Sequence, residues 1–137
     1  MLAPRIGLRE RIGTGDRLAQ LEQDLADMEA KPTAEMALRH KGLIVGIKTA
    51  HYEGPEWAPV ERSVEAGTIA NVPVLVDFGA NKAERPLAEL VTKKLRPGDI
   101  YAHMYSGLRG ELTEAGRVNP GMVEGRKRGV LFEVGHG

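Results

Sequence analysis

Four polar residues close four apolar stretches of this chain. Lys48 ends GLIVGIK, Asp77 stands near the end of VPVLVDF, His103 near the end of DIYAHM, and His136 lies just past GVLFEV. Successive members are 29, 26 and 33 residues apart. Lysine, aspartate and histidine are oxygen and nitrogen donors, or become so on modification. Brought together, they suit a hard or borderline divalent cation such as zinc. A metal held that way activates water and polarises a carbonyl. The plainer alternative is that each residue caps a strand, the lysine reaching out to water.

Convergence depends on the intervening elements. GLIVGIK (42–48), VPVLVDF (72–78), DIYAHM (99–104) and GVLFEV (129–134) are continuous apolar runs, the pattern of strands buried on both faces of a parallel sheet. PEWAPVERSVEAGTIAN (55–71) and RPLAELVTKKL (85–95) read as helices between them. NPGMVEGRKRG (119–129) reads as a short helix or ordered loop. Each separation is close to the ~30 residues of one βαβ unit. Alternation of this kind implies a parallel α/β sheet with right-handed crossovers, whose functional groups gather at the carboxyl ends of the strands. Upstream, Leu18, Leu21, Leu25 and Met28 predict an amphipathic helix over 18–29. Lys31-Pro32 is expected to stop it, and Thr33 to cap a second helix through TAEMALRH. Residues 1–17 show no clean period.

Composition narrows the classes. The 137 residues hold no cysteine, which excludes disulfides, thiolate nucleophiles, cysteine-ligated zinc and iron–sulfur clusters. Nineteen basic residues balance nineteen acidic ones, so a strong nucleic-acid footprint is not expected. No apolar run is long enough to span a membrane, and the charged start MLAPRIGLRERIG does not resemble a signal peptide. A cytoplasmic location is the expectation. A phosphate-binding glycine loop is missing after the first strand, where the residues are KTAHYEG, so a doubly wound nucleotide-binding domain is disfavoured.

The stretches KGLIVGIKTAHYEGPEWAPVERSVEAGT, VPVLVDFG, RPLAELVTKKLRPGDIYAHMYSGLRGE and GVLFEVGHG closely resemble the amidohydrolase superfamily, in its dihydroorotase-like and deacetylase-like branch. The resemblance covers about residues 22–137 and leaves 1–21 as an irregular or unrelated segment. It implies a partial (β/α)8 TIM barrel, matching the family's fourth to seventh strands. It implies a metal-dependent hydrolase of a C–N bond (amide or cyclic amide) or an ester bond in a small molecule, with one or two zinc ions. By position, Lys48 matches the lysine that the family carboxylates to bridge its metals, because an ammonium cannot ligate a cation but a carbamate can. His103 matches a direct metal ligand. Asp77 stands where many members carry a histidine. It either ligates through oxygen, binds a substrate group, or marks a lost or mononuclear site. His136, His51, Tyr52 and Arg109 fall where substrate contacts are expected, Arg109 as a partner for a carboxylate. For His51 and Tyr52 the alternative is an ordinary loop, and for Arg109 a solvated side chain.

A whole barrel needs about 250 residues. The family's first-strand His-x-His pair is absent, and its eighth-strand aspartate would lie beyond Gly137. The expectation is therefore a fragment with little turnover alone, its barrel completed by self-association or a partner chain. The competing expectation is a non-catalytic α/β binding or assembly module without metal.

Overall fold

The computed structural model describes residues 22–79 and 82–135. Four strands form one sheet: β1 (Ile47–Ala50), β2 (Val74–Asp77), β3 (Ile100–Tyr101) and β4 (Leu131–Phe132). The helices are α1 (Ala30–Arg39), α2 (Ala58–Ala70), α3 (Leu87–Glu89, continued by a π-helical turn Leu90–Lys94) and α4 (Pro120–Lys127). All strand pairs are parallel, in the order β1-β2-β3-β4. The chain is an α/β protein, as its alternating pattern predicts. Among the described residues, no helix is long and apolar enough to cross a membrane.

The order has a geometric consequence. Each crossover steps the same way along the sheet, and right-handed crossovers then lay their helices on one face. Burial follows this asymmetry. Ile47, Val74, Val76 and Tyr101 are buried and share a core with Val60, Ala66, Leu87, Leu90 and Val91. Register puts Lys48, Leu75, Ile100 and Leu131 on the opposite face. The first three are only half-buried there, and Leu131 is 47% exposed.

Local chemistry sets the helix ends. Pro59 lies at the start of α2, where its missing N–H costs nothing. Asn71 ends α2 in the left-handed conformation (φ 54°), its N–H turned back to the carbonyls of Gly67 and Thr68. Gly67 lets α2 settle onto β2: a Cβ there would come within 2.7 Å of the Val74 side chain. The Asn119 side chain accepts from the Gly121 N–H (2.9 Å) and caps α4.

Several boundaries depart from the sequence expectation. Of the helix expected over 18–29, residues 18–21 lie outside the described residues, and the remainder forms a 3-10 turn (Leu25–Asp27) capped by Asp24. Helix α1 starts at Ala30, so Lys31-Pro32 lies inside its first turn instead of ending anything. A first-turn proline gives up an N–H that has no intrahelical partner. Thr33 is no cap, since its hydroxyl donates back to the Glu29 carbonyl (2.7 Å). The first strand begins at Ile47, not at Gly42. Leu43 and Val45, apolar in sequence, are 81% and 67% exposed. Lys48 is consequently the second residue of β1, opposite Leu75, and Ala50 is the residue opposite Asp77.

At the amino ends of the strands, one buried carboxylate ties three elements. Asp99 is 1% exposed. It accepts from the Val74 N–H (2.9 Å) and from the backbone N–H (2.9 Å), Nε (3.0 Å) and Nη2 (2.8 Å) of Arg96. Arg96 in turn donates to the Thr68 hydroxyl and the Val72 carbonyl. The Asp99 hydrogen bonds hold the guanidinium above its ordinary pKa. Replacing Asp99 with alanine leaves this charge and the Val74 N–H without their acceptor. We expect Asp99→Ala to cost about 3–5 kcal/mol, measured by urea unfolding. A loss within ~0.5 kcal/mol would mean that the cluster holds nothing together.

Candidate functional site at the carboxyl rim

Just past the end of each strand the chain turns through a left-handed residue: His51 after β1 (φ 55°), Gly79 after β2 (68°), His103 after β3 (59°) and Gly135 after β4 (58°). Two of the four are histidines. A side chain in that region costs of order 1–3 kcal/mol, and such positions concentrate at functional sites.

The strained histidines meet on Asp77, which is 3% exposed. Asp77 Oδ2 lies 3.0 Å from His51 Nε2 and 3.2 Å from His103 Nε2. Its Oδ1 accepts from Arg109 Nη2 at 2.9 Å, and Arg109 Nε donates to the Gly79 carbonyl at 2.9 Å. His51 Nδ1 lies 2.9 Å from a Glu22 carboxylate oxygen. The Gln23 side chain holds the same loop, donating to the His51 carbonyl and accepting from the Glu53 N–H. Gly135 is required for a second reason beside its φ: a Cβ there would stand 2.0 Å from His103 Nδ1.

Arg109 is delivered by the loop after β3, and Glu111 shapes that loop. Its carboxylate is buried and accepts from the Tyr101 hydroxyl (2.9 Å), the Ser106 hydroxyl (2.7 Å) and the Arg109 N–H (3.0 Å). Burial pushes the Glu111 carboxyl up, but the hydrogen bonds from Ser106, the backbone and Tyr101 outweigh it and leave the pKa below the ordinary glutamate value. Tyr101 is shifted far upward, first by burial and then by the adjacent Glu111 charge.

The structure thus brings together Asp77, His103, His51 and Arg109. Lys48 shares a sheet face with Asp77, two residues further from the rim, and its side chain forms no hydrogen bond or ion pair with any described residue. Tyr52 is buried, its phenol donating to Glu56 and its ring packed under the Arg85 guanidinium. His136 lies outside the described residues. Sequence reasoning missed Glu22 and Glu111. Glu22 fell among the carboxylates of an expected helix face. Glu111 stands two residues past Arg109 in a glycine-rich turn, and that proximity was its one available signal.

Two imidazole nitrogens and a carboxylate oxygen are donors of the kind zinc takes, and Glu22 on the far nitrogen of His51 is the support a ligating histidine requires. As they stand, both rings contact one carboxylate oxygen. Among the described residues, no three His, Asp or Glu side chains are spread around a common point at ligand spacing. Compared with known proteins, the chain matches no family model and no curated protein at a significant level.

The depressed Glu111 carboxyl has a definite sign in stability. A folded-state pKa below the unfolded value contributes stability that is full above the ordinary glutamate range and is lost as pH falls through the folded value. Glu111→Gln should therefore destabilise at neutral pH, by about 1–3 kcal/mol for a buried hydrogen-bonded acceptor. It should also flatten the decline of stability below pH 4.5. Urea titrations of both proteins at pH 7 and at pH 3.5 check this: equal acid slopes would refute the assignment.

Proposed function

We propose that the sheet is an arc of a (β/α)8 barrel of the amidohydrolase kind and that its carboxyl rim is part of a metal-dependent hydrolase site. The substrate would be a small molecule with an amide, cyclic amide or ester bond. The observation that carries this reading is the convergence of His51 Nε2 and His103 Nε2 on Asp77 at the carboxyl ends of three neighbouring parallel strands. The resemblance of GLIVGIK, VPVLVDFG, DIYAHMYSG and VGHG to that superfamily supports it, as does the one-sided placement of the helices.

A divalent metal, when bound, supplies a more acidic water and a polarised scissile carbonyl. His51, His103 and Asp77 would hold it. Lys48 would join them as its carbamate, the form in which a lysine offers oxygen donors. Glu22 orients the His51 ring and fixes which nitrogen faces the rim. Arg109 aims the Asp77 carboxylate through Nη2, and its remaining Nη1, buried without a hydrogen-bond partner, would pair with an anionic group of the substrate. The loop around Glu111 holds Arg109 in that position without touching the reacting atoms.

The competing reading is a binding or assembly module in which these residues form a structural network. It is favoured by the fact that both Asp77 oxygens already have partners. Zinc binding separates the two. The purified chain, stripped and reloaded, should retain zinc by elemental analysis. His103→Ala and Asp77→Ala should abolish retention, and Glu22→Gln should weaken affinity about 10–100-fold, as loss of a supporting hydrogen bond does. Zinc at background level, or retention indifferent to His51→Ala and His103→Ala, would overturn the hydrolase reading.

A further inference from the structure

The two ends of the sheet are complementary to each other. Strand β1 pairs only with β2 and β4 only with β3, so among the described residues each presents one unpaired edge. Beside β4, on the helix side, lies a groove of about 500 Å³ lined by Met104, Tyr105, Met122, Val123, Phe132 and Val134, with Arg126 and Lys127 also on its wall. At the other end, α1 packs on α2 through Ala30, Ala34 and Ala37. It leaves Leu38 46% exposed, one turn after the exposed Glu35 and on the same flank of the helix.

We propose that a second copy of this chain occupies the groove, and that two copies close into an eight-stranded ring with two-fold symmetry. In it β4 of each copy pairs in parallel with β1 of the other. This rests on the barrel-arc reading above but not on its metal chemistry. Continuing the order past β4 calls for one more parallel strand with a helix preceding it on the outer face. The element pair α1–β1 has that form. Its helix enters where the groove lies, setting Leu38 against Val123 and Val134, and Glu35, one turn earlier on the same flank, near Arg126 and Lys127. Eight parallel strands make a barrel whose own side chains fill its interior, here Leu75, Ile100 and Leu131 from both copies. Closure leaves no strand edge among the described residues, whereas an unlike partner on the groove would leave that of β1 open. Both rim clusters then face one mouth.

Sedimentation equilibrium of the full chain at tens of micromolar should give twice the chain mass, with and without a chelator. Leu131→Glu on the inner face and Val123→Glu in the groove should each weaken association at least tenfold while the far-ultraviolet circular dichroism is kept. Because either variant could unfold, a second measurement uses the absence of native cysteine. Leu38→Cys and Val123→Cys chains, mixed and oxidised, should form a mixed disulfide dimer faster than either chain pairs with itself. A folded monomer, a ladder of larger species, or no preference for the mixed disulfide would each overturn the proposal. Zinc bound to a folded monomer would sink this proposal and leave the hydrolase reading standing. A zinc-free dimer would do the reverse.

Discussion

A parallel sheet whose strands are laid down in sequence order receives its helices on one side only, and most of this structure follows from that constraint. The crossovers through α2, α3 and α4 cover Ile47, Val74, Val76 and Tyr101 with a continuous aliphatic core. They leave Lys48, Leu75, Ile100 and Leu131 on a face that the described residues cover with nothing comparable. A doubly wound sheet escapes this by reversing its order midway, which sends helices to both sides. Here no reversal occurs. Among the described residues the inner face and the two edges are left uncovered, and the proposed two-fold closure would cover them with a second copy of the same elements.

The two ends of the strands are held by opposite means. At the amino ends, buried Asp99 and half-buried Arg96 form a compact pair that also satisfies backbone groups of β2 and of the turn before it. A buried carboxylate is tolerable only when its oxygens are fully engaged, and those of Asp99 accept four hydrogen bonds. At the carboxyl ends, Asp77 has the same need, but its partners come from further away in the chain and two of them sit on strained backbone. The first cluster is a staple whose carboxylate is sealed, with 29% of the Arg96 side chain reaching solvent. The second has His51 with 56% of its side chain exposed, so solvent and small molecules reach the carboxylate's neighbours.

Much of this was legible in the sequence, for a physical reason. Continuous apolar runs mark strands covered by helices, and their spacing of about one βαβ unit implied parallel pairing, which holds for all three strand pairs. Asp77 and His103 could be singled out because each interrupts such a run at its end. The first strand was harder to place, since Leu43, Ile44 and Val45 extend its apolar run over residues that do not enter the sheet. Hydropathy cannot tell a residue that is covered from one that awaits covering. That offset of a few positions set Lys48 at the strand end and left His51 among the expected substrate contacts, although it stands just past the true end of β1 and meets Asp77. Pro32 misled in a different way, because a proline looks the same to a pattern whether it ends a helix or occupies its first turn. Glu22 and Glu111 were illegible because their partners are fixed by tertiary approach: His51 is 29 residues from Glu22, and Tyr101 is ten from Glu111.

The rim's rigidity must come from side chains, because its backbone supplies little. Strands β3 and β4 are two residues long, and their ladder ends before His103 and Gly135 are reached. Beyond that point the chain is positioned by single hydrogen bonds, such as that from the Met104 N–H to the Glu133 carbonyl (3.1 Å), and by Glu111 inside the β3 loop. A site built this way is only as precise as its supporting carboxylates. Glu22 orients His51, Glu111 shapes the loop that carries Arg109, and both act on Asp77 through a single intervening side chain. Neither support borders the reacting centre proposed for the rim, so each can be altered without removing a donor. That separates two quantities usually entangled in a small α/β domain: how well the rim is held, and what it is able to bind.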